Sequence, residues 1–287
     1  MTHVLAIDFG GTKIALATAA VGSSRPAKTV RLETLGEAGA LQAVERTFEA
    51  ARDLLASPAA VGVSTFGVVR DGRVRLAPNV PGWEGLALPA LLRERFGDAP
   101  VAIDNDVNAG AAAELRWGAL RGVDTGLYVN VGTGLAAAVV VGGRVVPGAH
   151  GAAGEIAYLR EHADRFFADG HAPLEDVVSG AALSRRGSAL LGRPVTAAEL
   201  FATPGVDALL DDFCEALART IANLCVVLDP STVVLGGGLL GAAEYLVPRV
   251  SAVLERAVPF PPSLALARFV DDAPLIGAMA LALENVG

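Results

Sequence analysis

Polar and apolar positions alternate in short runs at the start of the chain. Residues 4–7 are apolar and β-rich, residues 8–13 (Asp8-Phe9-Gly10-Gly11-Thr12-Lys13) form a glycine-bearing bend, and residues 14–18 return as a second strand, so a hairpin is predicted. The period then changes. Leu41, Val44, Phe48, Ala51 and Leu55 recur at helical spacing within residues 38–56, which lead into a short buried strand at 60–64. A polar hairpin around Asp71-Gly72, a stiff loop at 78–83, a short helix at 89–96, a strand at 101–103 and an Ala-rich helix at 106–120 follow.

Residues 127–141 repeat the opening unit. Asp8-Phe9-Gly10-Gly11-Thr12 aligns on Asn130-Val131-Gly132-Thr133-Gly134, each between two predicted strands. Two copies of one unit predict an α/β protein of two lobes with a ligand held between them. After a loop-rich stretch at 147–180 come a long helix at 206–228, a strand at 232–235 entering Gly236-Gly237-Gly238, and an apolar helix at 274–283.

Composition narrows the classes. A chain of 287 residues with 52% hydrophobic residues and 19% charged ones has material for about two domains and a substantial core. With 23 basic against 31 acidic residues the net charge is −8, and no basic cluster is present to track a phosphate backbone, so nucleic acid is excluded as a partner. The longest uncharged stretch, 126–143, is broken by glycines, Asn130 and Thr133, which suits two buried strands better than a membrane span. No secretory signal is visible at the N-terminus, and the cytoplasm is the expected compartment. Cys214 and Cys225 fall about 16 Å apart along one predicted helix and do not pair.

Glycine turns after buried strands offer backbone N–H groups to an anion. In the first, Asp8 is placed to hold a hydrated Mg²⁺, while Thr12 and Lys13 are suited to phosphate oxygens; in the second, neutral Asn130 takes the place of Asp8. Two ordinary hairpins are the plainer reading of either turn alone. Gly236-Gly237-Gly238-Leu239-Leu240-Gly241 fits the dinucleotide fingerprint, but too little chain remains after it for a dinucleotide fold. A nucleoside lying against these glycines is the preferred alternative, and a P-loop motif is absent.

Asp104-Asn105-Asp106-Val107-Asn108 falls between a strand and a helix. There Asp106 is suited to take the proton of a hydroxyl that attacks a phosphoryl group, although helix capping explains the same residues and the helix dipole would weaken the base. Asn79, Asn105, Glu155 and Glu175 are candidate partners for vicinal hydroxyls.

The ordered motifs at 8–13, 78–83, 105–109, 132–134, 153–155, 235–238 and 276–278 resemble the ROK family of sugar kinases, within the actin-like, ribonuclease H-like ATPase superfamily. The resemblance implies a two-lobed α/β fold with a ligand cleft. The small lobe would span residues 1–115, with a C-terminal helix at about 274–287 packing back on it, and the large lobe residues 116–273. It further implies Asp106 as catalytic base, and Asp8 (for Mg²⁺, through water) with Gly10, Gly11, Thr12, Lys13, Gly132, Thr133 and Gly134 around ATP phosphates. Gly237 and Gly238 would lie near adenosine, and Asn79, Asn105, Asp106, Glu155, Tyr158 and Glu175 around the sugar. A homodimer is implied as well.

Two departures stand out. The Gly-His pair of glucokinase-like members is here Ala157-Tyr158, and their cysteine-rich run is replaced by residues 159–174 without a cysteine. His162 and His171 are too few for zinc, so no structural zinc is expected, and packing by Phe166 and Phe167 is expected to hold the loop instead. The implied reaction is transfer of phosphate from ATP, or from polyphosphate, to a hydroxyl of a hexose or hexose-like polyol. An aminosugar or cyclitol acceptor, a non-catalytic sugar sensor and a nicotinamide enzyme are the alternatives.

Overall fold

The computed structural model describes residues 3–34, 39–77, 80–160 and 165–286. The chain divides into two compact units: residues 1–121 with 147–152 and 272–287, and residues 122–146 with 153–271.

In the first unit β1 (His3–Phe9) and β2 (Lys13–Ala20) form the predicted hairpin, and β3 (Lys28–Glu33) extends it. Sequence patterning misses β3 because only Val30 and Leu32 face inward; its other residues are exposed and mostly charged, as suits a sheet edge. Helix α1 (Ala40–Leu54) leads to β4 (Val61–Thr65), buried at all five positions. The small hairpin of β5 (Val68–Arg70) and β6 (Arg73–Arg75) precedes α2 (Leu88–Phe96), β7 (Val101–Asn105) and α3 (Asp106–Trp117). The sheet order is β3-β2-β1-β4-β7, antiparallel in its first three strands and parallel from β1 through β4 to β7.

Trp83 is fully buried in the core of this unit, 4.9 Å from Phe66 and 5.3 Å from Phe9 between ring centroids. Its indole N–H donates to Thr65 Oγ1 at 3.1 Å. The C-terminal end of the 78–83 loop is thereby fastened to the end of β4.

The second unit repeats the same strand order. Its sheet contains β8 (Gly126–Val131), β9 (Leu135–Val141) and β10 (Arg144–Val145), followed by helices α4 (Gly180–Leu191), α5 (Ala197–Leu200) and α6 (Asp207–Leu228). Then come β11 (Thr232–Gly236), α7 (Ala243–Ala257) and β12 (Ser263–Leu266). The order is β10-β9-β8-β11-β12, again antiparallel on one side of the central strand and parallel on the other. Helices α4 and α7 lie outside the elements that the sequence pattern predicts. The first contains Gly180, Gly187 and two serines, the second Pro248, and these weaken the local helical signal that tertiary packing restores. Cys214 and Cys225 are free and buried on α6, where burial pushes both thiols up to about 11.

The chain ends in α8 (Ala273–Glu284), which belongs to the first unit and packs on α3 and β4. A Cβ at Gly277 would overlap the backbone of Ala109, so the two helices touch main chain to main chain. Arg31 of β3 grips Asp272, just before α8, with a bidentate pair at 2.9–3.1 Å. Among the described residues no helix is long and apolar enough to cross a membrane.

Candidate active site

Register brings together the candidate residues of the first unit. Asp8 on β1 pairs with Ser64 on β4, which pairs with Asp104 on β7; one step on, Phe9, Thr65 and Asn105 are aligned. Asp8 and Asp106 therefore leave the carboxyl edge of one parallel sheet, with backbones about 10 Å apart across two strand spacings. That edge is where open α/β sheets bind ligands.

The bend after β1 is tied by its carbonyls. Gly10 N–H donates to Lys13 O at 3.0 Å, Thr34 Oγ1 donates to Gly10 O at 2.7 Å, and Thr34 N–H donates to Thr12 O at 3.1 Å. Gly11, Thr12 and Lys13 are exposed. An anion is offered main-chain amides, a hydroxyl and an ammonium at one bend.

At the end of β7 the Asn105 side chain, not Asp106, caps α3, accepting the Asn108 N–H at 2.7 Å. Asp104 Oδ1 accepts the Asn105 N–H and Asn108 Nδ2, each at 2.8 Å, and locks the strand end to the helix start. With capping done by its neighbour, the Asp106 carboxylate accepts the Val107 N–H at 2.9 Å. Burial pushes its carboxyl up to about 6, against the lowering effect of hydrogen bonds from Val107 and from its own amide. Burial acts against the weakening expected from the helix start, and desolvation outweighs the two amides.

Burial also pushes Asp8 up to about 7, and the charges of Asp106 and Asp272 add to the rise, while Lys13 opposes it. Ser64 Oγ, fully buried beside Asp8, eases ionisation, although its geometry falls short of a formed hydrogen bond. Ser64, Asp104 and Asn108 are supporting residues that sequence reasoning missed. The i, i+4 spacing of Asp104 and Asn108 was the available signal.

These shifts carry a stability consequence. From an ordinary value of 3.8, both carboxyls rise on folding, so between about pH 4 and 7 the folded chain holds more protons than the unfolded one and stability falls as pH increases. Asp8→Asn is expected to have a higher urea midpoint than wild type at pH 8, with the difference closing towards pH 4. Equal midpoints at pH 8 would contradict the buried-charge account.

In the second unit a like turn follows β8. Gly132 N–H donates to Gly134 O at 3.0 Å, and the first amides of α4, Gly180 and Ala181, donate to Gly132 O and Thr133 O at 2.8 and 3.2 Å. Carbonyls of the 132–134 turn are thus turned towards α4, and Thr133 is exposed. Leu135 N–H donates to Glu175 Oε2 at 2.8 Å. Gly236 pairs with Asn130, so the glycine triplet leaves the strand next to the turn. Gly237 has φ +95°, a conformation that L side chains rarely adopt, against the backbone of Val131. The following residues form a 3-10 turn, Gly238–Ala242, before α7 begins.

Glu155 begins a 3-10 turn over Ile156–Tyr158. Leu174 and Glu175 N–H groups both donate to Ala157 O, at 3.1 and 3.4 Å, which brings Glu155, Tyr158 and Glu175 into one neighbourhood. Tyr158 meets the edge of Phe167 at 5.1 Å between centroids, and Arg160 lies 4.6 Å over Phe166. Phe166 and Phe167 themselves are 43% and 59% exposed, so they cover the loop from outside rather than anchor it in a core. Asn79 and His162 lie outside the described residues.

A family model, the ROK family, matches residues 4–285. The chain belongs to the ROK family. Kanosamine kinase of Amycolatopsis mediterranei is 32% identical over 87% of this chain and 85% of its own length. The ROK hexokinase of Thermus thermophilus is 31% identical, with a TM-score of 0.83 over 99% of each chain. A ROK glucokinase from Streptomyces griseus, solved with glucose and AMPPNP, is 26% identical with a TM-score of 0.80 over 99% of this chain and 100% of its own. This ROK protein is a sugar kinase with the actin-like ATPase fold.

Proposed function

We propose that this ROK kinase transfers the terminal phosphate of ATP, with Mg²⁺, to a hydroxyl of a hexose or hexose-like polyol, the primary hydroxyl being the expected one. The observation that carries the reading is Asp106: a carboxyl lifted to about 6 by burial, at the start of α3 and on the same sheet edge as Asp8 and the 10–13 bend.

In this reading Asp106 accepts the proton of the acceptor hydroxyl as its oxygen bonds to phosphorus and the bond to the ADP oxygen breaks. A loose phosphoryl-transfer transition state asks for placement more than for base strength. Asn105 Oδ1 is committed to capping, so its Nδ2 is what remains to donate to a sugar oxygen. Asn79, Glu155, Tyr158 and Glu175 complete the sugar contacts. Thr12, Lys13 and the turns at 10–12 and 132–134 hold phosphate oxygens, and Gly237 and Gly238 face adenosine.

Two desolvated carboxylates, Asp8 and Asp106, with Lys13 as the cation that acts on Asp8, are a donor set that fits a divalent cation. Among the described residues no group of three His, Cys, Asp or Glu is placed to hold a metal; the ion is proposed to be carried mainly by water and substrate phosphates. Mg²⁺ held by Asp8 through water would supply charge neutralisation on the phosphates. A cytoplasmic homodimer is the proposed working form.

An aminosugar acceptor is the second reading, favoured by the likeness to a kanosamine kinase. Sugars, aminosugars and cyclitols offered with ATP or polyphosphate, followed by ADP release and product mass, are expected to show one class turned over at least about tenfold better in kcat/KM than the others. Sugar binding without turnover across that panel would make the protein a sensor.

A further inference from the structure

Asp176 follows Glu175 and gathers side chains from its own strap and from α4. Its Oδ2 lies 3.1 Å from Arg165 Nη1 and 3.9 Å from His171 Nδ1, and its Oδ1 lies 3.8 Å from Arg185 Nη2. Arg185, in the second turn of α4, also donates to the Asp176 carbonyl at 3.1 Å. The Asp176 N–H closes the strap by donating to Ala172 O at 2.9 Å.

Two routes lead from this cluster to the 132–134 turn. Helix α4, held through Arg185, is the helix whose first amides fix Gly132 O and Thr133 O. Ser179, its cap, donates to Glu175 O at 2.8 Å. Glu175 Oε2 receives the Leu135 N–H, and its carboxylate lies against Gly134, where a Cβ would come within 2.6 Å. The exposed rings of Phe166 and Phe167 give the same strap little grip.

We infer that Asp176 is a positioning residue: its ion-pair hub fastens residues 165–176 to α4 and holds the Glu175 carboxylate on Leu135 N–H, keeping the 132–134 turn in its phosphate-receiving shape. The functional part of this inference rests on the kinase reading above. Arg165, Asp176 and Arg185 line an open crevice, and the members of the hub are 30–60% exposed. Ion pairs this exposed add little to global stability, so the effect is on local order.

Amide hydrogen exchange of the full chain tests it directly. Asp176→Asn is expected to speed exchange at Leu135 by about tenfold or more through easier local opening, with Tm within about 2 °C of wild type and exchange in the β1–β2 hairpin unchanged. Asp176→Glu is expected to retain most of the protection. Wild type in about 0.5 M NaCl is expected to shift towards Asp176→Asn, since salt screens exposed pairs; this arm holds even if a variant folds poorly. In kinetics KM for ATP is expected to rise about fivefold with kcat within about twofold, the mark of lost uniform binding.

Unchanged Leu135 exchange in both Asp176→Asn and high salt overturns the hub, whatever the kinase assays give. Accelerated exchange in a protein that phosphorylates nothing in the acceptor panel sustains the hub and sinks the phosphate reading instead.

Discussion

Asp106→Ala is expected to lower kcat by about 10² to 10⁴, the usual contribution of a positioned general base, while the sugar Kd measured by calorimetry changes little. The other proposed sugar contacts, Asn105 among them, are left in place, and Asp104 still braces the helix start through Asn108. The wild-type kcat/KM is expected to fall as pH drops through about 6 to 7, because buried Asp106 and Asp8 must both be ionised and their titrations are coupled. The sign follows from the cause: burial disfavours the charged form, so the active ionisation state is lost at a higher pH than for an ordinary carboxylate. A variant that keeps more than about a tenth of wild-type kcat would remove Asp106 from the base role.

Gly277→Val is expected to have the largest effect on the fold. The new side chain would have to displace the main chain of Ala109, one turn along α3 from Asp106, and backbone cannot swing aside as a flexible side chain does. Overpacking of this kind costs about 3 kcal/mol or more. For a protein of this size that lowers Tm by roughly 6–12 °C. Calorimetry on Gly277→Val beside Gly277→Ala reads the effect, and a Tm within about 2 °C of wild type for the valine variant would mean that α3 and α8 separate freely.

Much of this was legible in the residues. The 8–12 and 130–134 segments announce two copies of one unit, and the structure gives both units the same strand order. Strands buried on both faces, such as β4, leave a continuous apolar run that reads easily. The edge strand β3 leaves only Val30 and Leu32, and α4 and α7 are held by packing against the sequence preference of their Gly and Pro residues. At the site, residue identities near Asp106 were readable, but the division of labour was not. That Asn105 caps, that Asp104 braces and that Glu175 supports a backbone amide depends on orientation, which a motif does not carry. The hub at Asp176 joins residues 165, 171, 176 and 185, a set with no fixed spacing to find.

The commitment of the Asn105 carbonyl oxygen to the α3 amide has a stereochemical consequence for the acceptor. In the proposed reading, what this residue offers the acceptor is the pair of Nδ2 hydrogens, which suit lone pairs and disfavour a cation. A protonated amine at the carbon facing Asn105 would set hydrogen against hydrogen, whereas the same amine placed beside Glu155 would meet a carboxylate. Under the proposed sugar contacts, tolerance of an amino substituent is expected to depend on its ring position and not merely on its presence.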